Sequence, residues 1–195
     1  MKTIKTISLF FLIFFVISAA GFSQVLDVPE CEQEQTMWCW AGTSQAVLYY
    51  YGSDIEQCDI AEYTRVNADW HDFGAVYCCL DPTQGCNYAN YIYGETGSIE
   101  MILYDLVDPA IETYGFYGTL SETEVADEIA GNRPFIIRVC CPGSGHFIVI
   151  RGYVDGVVYY MDPWFGEGYG FGDYGSRVNG QRWKHTLVNT TSPSN

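Results

Sequence analysis

Four side chains of this sequence, taken together, could break an amide bond: the thiol of Cys39, the imidazole of His146, the carboxylate of Asp162 and the carboxamide of Gln33. A thiolate attacks a carbonyl carbon, and an imidazolium protonates the departing amine. A carboxylate on the other ring nitrogen holds the imidazole in place. The oxyanion formed on the way needs donors, which a glutamine amide and the Cys39 backbone N–H can supply. Cys39 lies between Trp38 and Trp40, and Gln33 stands six residues before it. Gln35 is a second candidate for the amide. His146 follows Gly143-Ser144-Gly145, and Asp162 opens Asp162-Pro163-Trp164.

These side chains act only if the elements beneath them bring them together. Ala46, Val47, Tyr50 and Tyr51 recur at helical spacing after Cys39, with Gly52 as the stop, so Cys39 opens a helix. The positive end of a helix dipole favours a thiolate there. Further helices are expected over 55–66, capped by Ser53 and Asp54, over 98–107, and from the capping-box sequence Ser121-Glu122-Thr123-Glu124 to Gly131. Residues 67–97 read as a long loop. The period then changes to β-branched and aromatic runs at 134–141, 146–154 and 157–162, and a last strand is expected at 181–188. Asp155-Gly156 is a hairpin turn signal. It would set the start of one strand, His146, beside the end of the next, Asp162. The glycine-rich 166–175 stretch is expected to be a shaped loop; it does not lead from strand to helix, as a phosphate loop would. The sum is an α+β fold, with residues 24–131 mainly helical and 132–195 mainly β.

The chain has 195 residues, enough for one domain. Residues 1–23 read as a signal peptide: Lys2 and Lys5, an apolar run over 7–20, then small residues to Ser23. The apolar run is shorter than the ~20 residues of a membrane-spanning helix. The formal net charge of -15 excludes binding to nucleic acid or an anionic membrane surface through bulk charge. An exported chain can form disulfides, and eight cysteines are present: Cys31, Cys39, Cys58, Cys78, Cys79, Cys86, Cys140 and Cys141. Cys58, Cys78, Cys79 and Cys86 could staple one loop region, with the adjacent cysteines pointing to different partners. If Cys39 is a free nucleophile, seven thiols remain and one is left over. His71 with Cys78, Cys79 and Cys86 could suggest zinc, but the spacing fits poorly; no metal and no other cofactor is expected. Asn189-Thr190-Thr191 matches a glycosylation sequon.

The residues quoted first resemble the papain-like cysteine peptidases. Those have a glutamine six positions before a Cys-Trp pair, as Gln33 stands to Cys39-Trp40. They have a small residue before the histidine, and a tryptophan two positions after the orienting residue, as in Gly145-His146 and Asp162-Pro163-Trp164. Asp162 stands where many relatives carry asparagine, and Met37-Trp38 where they carry Gly-Ser. The match is most similar to a compact bacterial branch with secreted effector proteases and staphopain-like enzymes. The resemblance implies a helical subdomain facing an antiparallel sheet or barrel across a cleft. It implies Cys39, His146, Asp162 and Gln33 as catalytic residues, with Trp164 and Trp40 shielding and packing. The expected molecule is a monomeric peptidase acting outside the cytoplasm, secreted or periplasmic, on a peptide or protein substrate. The alternatives are another acyl-transfer enzyme of the same fold, such as an amidase, a transglutaminase-like or a peptide-processing enzyme, and a non-catalytic binding domain in which Cys39 is a disulfide partner.

Overall fold

The computed structural model describes residues 24–141, 144–175, 177–178 and 180–193. The expected signal peptide, 1–23, lies outside the described residues. Helix α1, Cys39–Tyr50, is the centre of the molecule: every residue from Trp40 to Leu48 is buried. A helix can be buried on all sides only if its polar side chains find partners within the fold. Thr43 and Ser44 do so by donating to the carbonyls of Cys39 and Trp40 one turn back. The helix stops where expected, with Gly52 at φ 90°.

Helix α2, Gln57–Asn67, starts two residues later than expected. Ser53 does not cap it; its hydroxyl donates to the carbonyl of Leu106, and the cap position falls to Glu56. Tertiary contact has taken the side chain that local sequence assigns to the helix end. Helix α3 is Ile99–Asp105, and α4 is Glu122–Ala130. The Ser121 capping box forms at α4: Ser121 Oγ accepts from the Glu124 N–H, and Glu124 Oε2 accepts from the Ser121 N–H.

The strands form one antiparallel sheet. β1 (Gln24–Val25), β2 (Thr113–Tyr117), β3 (Phe135–Cys141), β4 (Ser144–Val154), β5 (Val157–Asp162), β6 (Gly168–Asp173), β7 (Arg177–Val178) and β8 (Gln181–Asn189) join it. The order is β2-β8-β3-β4-β5-β6, with β1 on β4 and β7 on β8. Four strands were not expected, β1, β2, β6 and β7, and two of them are instructive. β6 replaces the expected loop: Gly170 lies across from Tyr160, where a Cβ would meet the Tyr160 ring at 2.4 Å, while Tyr169 and Phe171 face outward. The glycines are the inner face of a strand and leave room for rings on its neighbour. β2 falls in the expected helical half, with Gly115 admitting the Tyr93 ring at a spot no side chain could share. The sheet therefore draws on both halves of the chain.

Residues 67–97 are stapled as expected, by Cys58–Cys79 and Cys78–Cys86. Each adjacent cysteine takes a different partner. A crosslink across a sequence separation of 21, Cys58 to Cys79, is worth about 3 kcal/mol against the unfolded chain. The sequon is not a surface feature: Asn189 is fully buried and its Nδ2 donates to the Pro134 carbonyl. Among the described residues, no helix is long and apolar enough to cross a membrane.

Candidate active site

The β4–β5 hairpin turns at Asp155 (φ 48°) and Gly156 (φ 84°), both in the left-handed region that a tight hairpin requires. Its register pairs Val149 with Met161. Continued by one residue, Ile148 lies opposite Asp162, and His146 is the diagonal neighbour on the same face. Diagonal side chains in a sheet are within reach when one is long or aromatic. His146 Nε2 lies 2.6 Å from Asp162 Oδ1. The same oxygen accepts the Trp164 N–H at 2.9 Å, so the buried carboxylate is held from two directions. With Nε2 engaged, Nδ1 is the ring nitrogen left for Cys39, to which the imidazole also hydrogen-bonds.

Burial by itself would lower the His146 pKa. Hydrogen bonds to Asp162 and Cys39, and their negative charges, outweigh it and raise the value to about 10. The imidazolium therefore contributes stability below the ordinary histidine pKa of about 6.5, and that contribution is lost as pH rises through about 10.

Cys39 is the first residue of α1, in the turn whose backbone N–H groups have no intrahelical acceptor. The tryptophans on either side of it tie this turn to the disulfide-bonded loop. Trp38 Nε1 donates to the Cys86 carbonyl at 2.8 Å, and Trp40 Nε1 to the Tyr88 carbonyl at 2.9 Å. The loop thus becomes a wall of the cleft.

Gln33 is buried and, unlike Cys39, His146 and Asp162, is not among the residues that line the cleft. Its backbone N–H donates to the Pro163 carbonyl at 2.7 Å, linking it to the Asp162 turn. Its Nε2 donates to the Gln35 carbonyl at 2.8 Å, which leaves one amide proton. Gln57, also buried, grips the segment on both sides of Gln33: Nε2 donates to the Glu32 carbonyl, and Oε1 accepts from the Glu34 N–H. Gly42, one turn into α1, lets these parts close. A Cβ there would lie 2.9 Å from Pro163 Cβ and 3.2 Å from the Cys31 carbonyl. Neither neighbour is the tip of a flexible side chain. Gly42→Val is therefore expected to push the Asp162 turn off α1, lowering the thermal midpoint by several degrees and kcat/KM by at least about tenfold. A variant with wild-type melting and turnover would refute that role.

The cleft has a volume of about 590 Å³. Cys39, His146 and Asp162 line it, together with Trp40, Trp164, Thr36, Met37, Ala89, Asn90, Arg138, Gly145, Phe147, Glu167 and Gln181. Trp164 stands edge-on to the His146 ring at 6.0 Å, with its outer face exposed, as a cover would. Trp40 is fully buried packing. Sequence reasoning did not find Arg138, Glu167, Gln181 or Asn90, which reach the cleft only through long-range sheet and loop geometry. His71 stacks on Tyr88 at 3.6 Å in an aromatic cluster, and His185 bonds to Tyr93; neither joins the site. Cys78, Cys79 and Cys86 are consumed in disulfides, so the zinc set considered with His71 has no free thiol. Cys31 and Cys140 are both unpaired, where one leftover thiol was expected, and the Cys141 side chain lies outside the described residues. Burial, with the charge of Glu30 beside it, pushes the Cys31 thiol up to about 12.

A thiol, an imidazole and a carboxylate in contact can carry out nucleophilic acyl transfer. The model of the Peptidase_C39 like family matches residues 25–185. Nothing matches among the curated proteins. A putative C39-like peptidase from Bacillus anthracis is similar over 86% of this chain and 98% of its own, with TM-score 0.57 and 15% identity. The peptidase domain of Streptococcus ComA, a bi-functional ABC transporter of a quorum-sensing pathway, is similar over 84% of this chain and 99% of its own, with TM-score 0.52 and 15% identity. A double glycine motif protease from an AMS/PCAT transporter, solved with its leader peptide, is similar over 85% and 94%, with TM-score 0.51 and 18% identity. At such identities these likenesses speak to the fold: helices packed on an antiparallel sheet. Because the family model spans nearly all of the described residues, the chain belongs to the Peptidase_C39 like family, within the papain-like cysteine peptidase superfamily.

Proposed function

We propose that residues 24–195 form a single exported catalytic domain that hydrolyses peptide bonds through a Cys39 acyl-enzyme. The observation that carries this is the His146–Asp162 contact at 2.6 Å, with the same imidazole bonded to a thiol at a helix start. The Cys39 thiolate adds to the scissile carbonyl. The oxyanion takes hydrogen bonds from the Cys39 N–H and the remaining amide proton of Gln33. As the tetrahedral intermediate collapses, the C–N bond breaks and the imidazolium gives its proton to the amine. Water, deprotonated by the now neutral His146, hydrolyses the thioester and restores the thiol. Trp164 keeps bulk water from the His146–Asp162 bond. Two disulfides support action in an oxidising compartment after loss of residues 1–23, as a monomer in the periplasm or outside the cell. In its Trp-Cys-Trp and Asp-Pro-Trp elements, the site is similar to the effector-protease and staphopain-like branch.

The neighbour solved with its leader peptide suggests a narrower form of the same chemistry, the trimming of a leader from a precursor. Incubating the mature protein with a denatured protein mixture and sequencing the products tests both. Cuts at many sites that disappear in Cys39→Ala fit an endopeptidase. Cuts confined to one short motif fit a processing enzyme. Release of ammonia, or crosslinks without cuts, would overturn peptide hydrolysis altogether.

A further inference from the structure

We propose that the cleft reads charge in opposite senses on the two sides of the scissile bond: Arg138 receives an acidic substrate side chain and Glu167 a basic one. The proposal rests on the peptidase reading above and names the substrate class of the same site.

Both residues line the cleft. In strand order they flank the reacting groups; Arg138 is paired with Phe147, on the face of β4 away from His146, and meets the cleft past the Gly145 backbone. In the order β3-β4-β5-β6, Arg138 is on β3, His146 on β4, Asp162 on β5, and Glu167 immediately precedes β6. Three strand intervals of about 4.8 Å separate their backbones by about 14 Å, which an extended peptide covers in about four residues.

Among the described lysines and arginines of this acidic chain, Arg138 is the one that lines the cleft. Among the described residues, Arg65 and Arg133 pair with Glu62 and Glu128, and Arg151 lies over the Tyr169 ring. No described carboxylate pairs with Arg138. Among the described residues its Nη1 reaches Cys140 Sγ, at 3.6 Å, a weak acceptor. The guanidinium crosses the strand at Gly145, where a Cβ would lie 2.2 Å from Nε. A fork of donors is thereby laid against the residue that precedes His146, and forked donors match a carboxylate.

The other end is acidic beyond Glu167 itself. Glu32 accepts the Gly166 N–H at 2.8 Å, and the Glu30 carboxylate lies where a Cβ on Gly168 would be, 2.7 Å from Oε1. A substrate entering with its charges reversed would set acid against this group and base against Arg138. Like-charge juxtaposition at a binding surface discriminates against the wrong register.

Two fluorescent peptides of identical composition test this. One carries Glu and Lys about four residues apart across a neutral centre, and the other has them exchanged. Wild-type protein is expected to cleave one order roughly tenfold faster in kcat/KM, and Cys39→Ala protein to bind that order more tightly by anisotropy, with both differences shrinking at high salt. Arg138→Glu should cancel or invert the preference for the acid, and Glu167→Lys that for the base. Arg138→Gln and Glu167→Gln serve if a charge reversal fails to fold. Equal cleavage and equal binding of the two orders would overturn the proposal, as would a preference that survives changes at both residues. Order-dependent binding without any Cys39-dependent cleavage would uphold the charge reading and sink the peptidase reading.

Discussion

Cys39→Ala is expected to lower kcat/KM by a factor on the order of 10⁵ or more, and His146→Ala by a similar factor. Without the sulfur there is no acyl-enzyme, and what remains is the cleft's ability to bind and polarise a carbonyl. Without the imidazole, the amine leaves unprotonated and the thiol loses its base. Residues that act as one unit are not additive, so the double variant should be little worse than either single one. Both side chains are partly exposed and line the cleft, so folding should survive. Steady-state kinetics on a peptide found in the digest, with melting curves as a control, reads this directly. A Cys39→Ala protein that keeps activity within tenfold of wild type would end the case for a thiol nucleophile.

The second large effect is at Asp162. Asp162→Ala is expected to cost roughly 10²- to 10³-fold in kcat, because the His146 ring loses the acceptor that fixes Nε2 and the Trp164 N–H loses its partner. The loss should be smaller than in a serine triad, where the histidine must acquire its charge during the reaction; here the Cys39 contact already favours the imidazolium. Asp162→Asn separates orientation from charge. Asparagine keeps an oxygen to accept from Nε2, so kcat should stay within roughly tenfold. The pH profile should nevertheless change. In the wild type His146 is held to about 10, so activity should persist into alkaline solution before the acid is lost. Removing the carboxylate deletes a contribution that raises this pKa and leaves burial, which lowers it, so the alkaline limb must move to lower pH in both variants. A limb at the wild-type pH in Asp162→Asn would show that the carboxylate charge does not set the protonation of His146.

What could be read in advance divides by the range of the interactions involved. The His146–Asp162 pairing was legible because a two-residue turn fixes the register of a hairpin, and register fixes which side chains share a face. Cys39 at a helix start was legible from the periodic run after it. The capping box at Ser121 worked because no tertiary partner competed for the hydroxyl, whereas the Ser53 hydroxyl was taken by the Leu106 carbonyl. β6 was missed because alternating glycines look like a loop until a neighbouring strand supplies the rings that need the space. The loop staples were legible as a region, but their connectivity depended on three-dimensional proximity. Arg138, Gln57 and Gly42 carried no local signal, since each matters through a contact with a distant segment.

The hairpin that joins His146 to Asp162 has a consequence for when the chain becomes reactive. The acid–base pair is closed by a short turn, at small cost in loop entropy, and hairpins of this kind form in about 1–10 μs. Cys39 lies more than a hundred residues earlier in sequence and must arrive by the long-range docking of α1 onto β4. Such non-local contacts set the pace of folding. A partly folded chain can therefore hold its proton relay complete and still lack an attacking atom beside it. On the proposed mechanism, chemistry begins only with docking, which would leave the chain inert toward its own copies while they are most easily cut.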